Sequence, residues 1–188
     1  MKSQIYKFSK CISKNFGTKK GYLKYLYYQL IFRLGKYSSF KNIDFNKVDR
    51  IIFVCKGNIC RSAFADQMAR SLGLNAISCG INAIKDGKAN ETAIKIAWEK
   101  GIDLCVHKTT PLSEVKPQHG DLYICMEPNQ IKVVRSYANE SGAYTLLGLW
   151  GDHKRAFLQD PYGLSIDYYR KCFELIEYSV NEIRKKLQ

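Results

Sequence analysis

The run Arg50-Ile51-Ile52-Phe53-Val54-Cys55 limits this chain more than any other feature. It is short, β-branched and aromatic, and nothing polar interrupts Ile51 to Val54. Both of its faces therefore ask for apolar cover, as in a buried strand of a parallel sheet. It ends at a glycine-bearing loop, Lys56 to Cys60. Arg61 to Leu72 then reads as a helix, with Phe64, Met68 and Leu72 at i, i+4 and i+8 and Gly73 as its stop. The same alternation continues. Ala76 to Cys79, Leu122 to Met126 and Tyr144 to Leu147 read as strands. Asn90 is suited to cap a helix that carries Ile94, Ala97 and Trp98 to Gly101, and Pro128 suits the first turn of another. Ile166, Tyr169, Phe173, Ile176, Val180, Ile183 and Leu187 mark a last amphipathic helix. Strands that alternate with helices predict an α/β fold with a parallel sheet covered on both faces.

Composition excludes several classes. The seven cysteines are irregularly spaced, and no secretory signal precedes them, so they are expected to be reduced in a cytoplasmic protein. No C-x-x-C occurs and none of the three histidines lies near a cysteine pair, so no metal site is expected. No apolar run approaches the roughly 20 residues that span a bilayer. The net charge of +13 is unevenly placed: residues 1–50 hold 12 Lys/Arg against 2 Asp/Glu, and the first acidic residue is Asp44. A nearly balanced body thus carries a basic arm that seeks anions.

Cys55-Lys56-Gly57-Asn58-Ile59-Cys60-Arg61-Ser62 joins the end of a strand to the start of a helix. Free backbone N–H groups and the helix dipole favour an anion at such a junction. Gly57 lets the backbone curl close to a phosphate, and Asn58 tolerates the left-handed conformation a cradle often needs. Cysteine reacts as its thiolate, an anion that the same field favours. Arg61 can hold two phosphoryl oxygens, and Ser62 can donate a hydrogen bond to the Cys55 sulfur. The plainer readings are a packed thiol for Cys55 and a surface ion pair for Arg61.

Residues 51–62, IIFVCKGNICRS, closely resemble the active-site strand and loop of low-molecular-weight protein-tyrosine phosphatases, and Asp160-Pro161-Tyr162 resembles that family's general-acid loop. Ser78-Cys79-Gly80, Gly101 to Leu104, His107 and Tyr123 to Met126 fall in the family's order and spacing. The resemblance implies a small four-stranded parallel sheet covered by helices on both faces. Residues 48–188 would form this phosphatase-like domain and residues 1–47 a basic, helical N-terminal extension. It also implies hydrolysis of phosphotyrosine on proteins through a cysteinyl-phosphate intermediate, without cofactor or metal. Cys55 is then the nucleophile, Arg61 the phosphate clamp and Asp160 the general acid. Lys56, Gly57, Asn58, Ile59, Cys60 and Ser62 bind substrate with Tyr162 as pocket wall, while Asn58 and His107 belong to a network that shapes the loop. Bacterial relatives act on tyrosine kinases that control polysaccharide export, which suggests a similar role. An Asp before Pro also forms Asx-turns, but the chemistry needs an acid on a loop over the phosphate. Two other classes stay open. Arsenate reduction uses the same anion loop with further redox cysteines, of which only Cys79 lies between residues 75 and 95. A phosphotyrosine-binding module without catalysis would not need Cys55, Arg61 and Asp160 together.

This sequence departs from the family pattern in places. Lys56 replaces an apolar residue, Ala63 a Pro and Thr110 an Arg, while Ile84 lies near where some relatives place an aromatic wall. Cys60 is close enough in sequence to capture a sulfenic acid on Cys55 as a disulfide. In the arm, Leu23, Leu26, Tyr27, Leu30, Ile31 and Leu34 form a helical apolar stripe bounded by Gly21 and Gly35; Ile5, Phe8, Ile12 and Phe16 form a weaker one. The stripes are expected to dock on the body or on a second copy in a homodimer, or to lie on an anionic membrane surface at the inner face of the membrane. No motif for specific nucleic-acid reading is present. The arm is expected to place the enzyme rather than to take part in chemistry.

Overall fold

The computed structural model describes residues 2–139 and 141–188, with side chains from Ser9 onward. In chain order the elements are α1 (Lys2–Phe16), α2 (Lys19–Arg33), β1 (Arg50–Cys55), α3 (Arg61–Ser71), β2 (Ala76–Gly80), α4 (Glu91–Trp98), β3 (Asp121–Cys125), α5 (Pro128–Tyr137), β4 (Ala143–Leu146) and α6 (Ile166–Leu187). The four strands form one sheet in the order β2-β1-β3-β4, with every neighbouring pair parallel.

The apolar run of β1 puts it in the middle of the sheet, where its residues alternate between two cores. Ile51 and Phe53 face one with Phe64 of α3 and Phe173 of α6, whereas Ile52 and Val54 face the other with Tyr123, Ile131 and Val134. All four are buried, each worth roughly 1.5–3 kcal/mol of hydrophobic stabilisation. Arg50 and Asp121 are register partners, and their side chains form a two-bonded ion pair at 2.8 and 2.9 Å that pins β1 against β3. A one-residue slip would separate this pair and turn every apolar side chain of β1 to the wrong core.

Asn90 caps α4 by accepting from the amides of Thr92 and Ala93, and Gly73 and Gly101 take the left-handed conformation beyond α3 and α4. The α6 stripe is buried from Tyr169 to Ile183, and Phe173 stacks on Phe64 with centroids 4.1 Å apart. Trp98, expected on the apolar face of α4, is instead 69% exposed, because the buried face of α4 is the one that carries Ala93, Ile96 and Ala97.

The arm corrects its expectation more sharply. Helix α2 does lie on the body, but through Gly21, Tyr25, Tyr28 and Phe32, on the side opposite the stripe. Leu23, Leu26, Tyr27, Leu30 and Leu34 face outward and are exposed, and Ile31 is half-buried between the two sides. Gly21 does not bound the helix. Thr18 caps it by accepting from the Gly21 amide, so Gly21 sits inside the first turn. In α1, Ile12 is buried and Phe16 packs on Tyr22 and Tyr25, while Ile5 and Phe8 lie outside the described side chains.

Candidate active site

The loop after β1 is held from outside by its carbonyls. Those of Cys55, Lys56 and Ile59 accept from the amides of Ile81, Asn82 and Asn90 at 3.0, 2.8 and 2.9 Å, and that of Asn58 accepts from His107 Nε2 at 2.8 Å. With the carbonyls turned outward, the amides turn inward toward the space above Cys55. Asn58 takes the expected left-handed conformation at φ 55°. Its amide lies 3.2 Å from Cys55 Sγ, and Ser62 Oγ lies 3.0 Å from the same sulfur. Gly80 is required below the loop, since a Cβ there would come within 2.8 Å of the Asn58 nitrogen.

The Asn58 side chain ties the loop to the sheet. Its Nδ2 donates to Ser62 and Ser78, both at 2.9 Å, and its Oδ1 accepts from the Thr110 amide at 2.8 Å. Ser78 passes the chain on to Asp66 Oδ2 at 3.0 Å. A carbonyl can only accept, so His107 carries a proton on Nε2; burial lowers its pKa, against the bond to Asn58 that raises it. Burial also pushes the Asp66 carboxyl up to about 6, even though the bond from Ser78 lowers it.

Arg61 is fully buried at the start of α3. Its Nη1 donates to Glu127 Oε1 at 2.7 Å and to the Leu158 carbonyl at 2.8 Å. Nη2 lies 2.8 Å from Asp160 Oδ2, yet neither Nη2 nor Nε has an aligned acceptor. Burial works against the charge of Arg61, but Asp160, Cys55 and Glu127 outweigh it and raise the pKa. One edge of the guanidinium is thus fixed, and the other faces the Asp160 carboxylate.

Cys55, Lys56, Gly57, Ile59, Cys60, Asn82, Asp160 and Tyr162 line a pocket of about 220 Å³. Asn58, Ser62 and His107 lie beneath it, buried, as a supporting layer. A larger hollow of about 570 Å³ beside Trp150 and Tyr178 has no cysteine in its lining. Tyr162 is 61% exposed at the rim, and its amide bonds to Asp160 Oδ1, so Asp160 forms an Asx-turn and faces Arg61 at once. Cys60 is buried 3.5 Å from the Tyr169 hydroxyl, and burial pushes its thiol up to about 12. A thiol held in this way is a slow partner for a sulfenic acid.

Sequence reasoning missed Glu127 and Asp66. Glu127 reads locally as a residue before a helix-starting Pro, and it does share a capping box with Gln130. Its hold on Arg61 is a tertiary contact across 66 positions. Asp66 had a signal that could have been used, an acidic residue set among Ala63, Phe64, Ala65, Met68 and Ala69.

The profile of low molecular weight phosphotyrosine protein phosphatases matches residues 50–188. This chain belongs to that family. The low molecular weight protein-tyrosine-phosphatase Etp of Escherichia coli strain K12 is 31% identical over 144 residues, covering 75% of this chain and 96% of that protein. A protein-arginine-phosphatase of Bacillus subtilis is also 31% identical, over 153 residues, covering 73% of this chain and 96% of its own length. Among solved structures, the tyrosine phosphatase Wzb of Escherichia coli K30 in complex with sulphate superposes with a TM-score of 0.66 at 32% identity, covering 75% of this phosphatase and 99% of Wzb. The arm lies outside the matched residues.

Proposed function

We propose that this phosphatase hydrolyses phosphotyrosine on proteins through a cysteinyl-phosphate intermediate. The observation that carries the reading is that Cys55 and Asp160 line one pocket while Arg61, whose Nη2 and Nε have no aligned acceptor, lies 2.8 Å from the Asp160 carboxyl. Substrate phosphoryl oxygens displace Asp160 from Nη2 and take both open Arg61 donors, while the loop amides take the remaining charge. The freed carboxylate takes up a proton from the bound phosphate monoanion and turns to the leaving oxygen. The Cys55 sulfur attacks phosphorus, the S–P bond forms as the aryl P–O bond breaks, and Asp160 delivers the proton to the aryloxide. Water then attacks phosphorus, giving its proton to Asp160, and the S–P bond breaks. Ser62 and the Asn58 amide stabilise the departing sulfur. Tyr162 and Ile59 supply an aromatic and an apolar wall suited to a phenyl ring.

The test is turnover of an aryl phosphate, a phosphoarginine peptide and arsenate by wild type and Cys55→Ser. Loss of more than about a hundredfold in aryl-phosphate turnover with the fold intact is expected. Faster wild-type turnover of phosphoarginine, or arsenate reduction, would replace the substrate reading. The family resemblance supports a bacterial tyrosine kinase tied to polysaccharide export as the physiological substrate.

For the arm, the supported reading is an anionic membrane surface. Leu23, Leu26, Leu30 and Leu34 are 64, 44, 59 and 76% exposed on one face of α2, with Lys19, Lys20 and Arg33 beside them. No acidic residue precedes Asp44. A two-fold homodimer through this face would set like charges against each other, whereas anionic lipid complements them. Salt-sensitive binding to vesicles containing phosphatidylglycerol is expected; a concentration-dependent dimer that ignores vesicles would replace this reading.

A further inference from the structure

The arm touches the body on the segment that carries Asp160. Tyr28 stacks on Phe157 with centroids 5.2 Å apart and an interplanar angle of 21°. The Arg155 guanidinium lies 5.4 Å from the centre of the Tyr25 ring. Gln29 donates to the Lys154 carbonyl at 3.1 Å. Gly21 is packed so closely that a Cβ would meet the Gln159 side chain at 3.3 Å, and one on Gly17 would meet Leu164 Cδ1 at 2.5 Å. These contacts flank Asp160 on both sides. From within the body the segment is held ahead of Asp160 by the Arg155 amide on the Gly148 carbonyl, the Leu158 amide on Met126, the Leu158 carbonyl on Arg61, the Gln159 carbonyl on the Tyr168 hydroxyl and the burial of Ala156 and Leu158, and the arm's contacts add to these. Asp160 itself is partly exposed. A partly exposed carboxyl on such a segment depends on its neighbours for the angle at which it meets a leaving oxygen, and small displacements cost rate steeply.

We infer that the arm clamps the general-acid loop, with Tyr25, Tyr28 and Gln29 acting as positioning residues for Asp160; this rests on the general-acid reading of Asp160 given above. Both apolar sides of α2 then have a use, because the inner side holds the loop while the outer stripe remains free. This reading runs against the expectation that the arm takes no part in the chemistry.

The test is a leaving-group series in the full-length chain, read as kcat/KM, which covers the steps up to loss of the alcohol. Good leaving groups need no proton and report everything except the acid. In Tyr25→Ala/Tyr28→Ala/Gln29→Ala, phenyl phosphate should fall about tenfold, part of the roughly 10²–10⁴-fold available to a general acid, while 2,4-dinitrophenyl phosphate stays within twofold. Tyr28→Phe, which keeps the stack, should match wild type. If the triple variant does not fold, Tyr28→Ala alone carries the same reading with a smaller drop. Equal loss on both substrates, or loss on neither, would overturn the clamp. Asp160→Asn in the same series separates the two ideas: a selective loss there with none in the arm variants removes the clamp only, and no selective loss there removes the general acid.

Discussion

The loop of residues 55–62 and helix α2 both present short, patterned sequences, but they are constrained very differently. In the loop almost every atom has one partner it can accept: four carbonyls are bonded outward, Asn58 uses both ends of its amide, and Arg61 is split between a fixed edge and an open one. In α2 both sides are apolar enough to be buried, and the side that docks is the one with aromatic rings and a glycine that allow close approach. A polar constellation has few solutions, so residue types and spacing nearly specify it. An apolar face has many, so periodicity finds the helix without saying which side is covered.

The largest effect should fall where the loop has least freedom. Arg61→Lys keeps the charge but cannot hold Glu127, the Leu158 carbonyl and two phosphoryl oxygens at once. Aryl-phosphate kcat/KM should drop by about 10²–10³-fold, on the scale of removing one preorganised donor. A drop below about tenfold would mean that the fork geometry matters little and that charge alone suffices.

Gly80→Ala should come next. The added methyl would meet the Asn58 nitrogen at 2.8 Å, Ala83 Cβ at 2.9 Å and the Gly57 carbonyl carbon at 2.9 Å, two of them backbone atoms that cannot swing aside. Overpacking of this kind costs about 1–3 kcal/mol, and the loop it displaces is the anion cradle. Denaturant unfolding should show that loss together with about a tenfold fall in kcat/KM. Unchanged activity at reduced stability would show that the cradle tolerates movement.

Asp66 tests the layer beneath the loop. Its folded pKa of about 6 lies above the ordinary value of 3.8, so ionisation is disfavoured in the native state. The resulting penalty is absent below about pH 4, grows as pH rises to about 6 and persists above, with an upper bound of about 3 kcal/mol. Asp66→Asn should therefore flatten the stability profile between pH 4.5 and 7 and stabilise the protein at pH 7 by about 1–2 kcal/mol, because its carbonyl can still accept from Ser78. Urea unfolding at the two pH values decides it. An unchanged slope would assign the pH dependence to other groups.

These residues also show what could be read in advance. The central place of β1 accords with its apolar run, and Cys55, Asn58, Arg61 and Ser62 fall together because they share one strand-loop-helix junction. Asp160 lies 105 positions from Cys55, so only its resemblance to a known loop tied it to the site. Glu127, 66 positions from Arg61, had no such help. The outward stripe of α2 could not be told from its docked side, because both are apolar: Leu23, Leu26, Tyr27 and Leu30 face out, and Tyr25, Tyr28 and Phe32 face in.

The smallest effect should come from the outward side of α2. In Leu26→Ser/Leu30→Ser the wild-type side chains are 44 and 59% exposed. An exposed position away from caps and packing is expected to shift stability within about 0.5 kcal/mol. Turnover of phenyl phosphate should stay within twofold, since neither residue faces the Asp160 segment, whereas Tyr28→Ala on the inner side removes a stack worth about 0.5–1.5 kcal/mol beyond its buried area. The pair of variants thus divides one helix into a side that matters to the enzyme in solution and a side that does not. Binding to anionic vesicles should divide the other way, lost in the leucine variant and kept in Tyr28→Ala. If the leucine variant were instead destabilised by more than about 1.5 kcal/mol, in a way that grew with protein concentration, the stripe would be covered in solution by a second copy, and the like-charge argument against a dimer would fail.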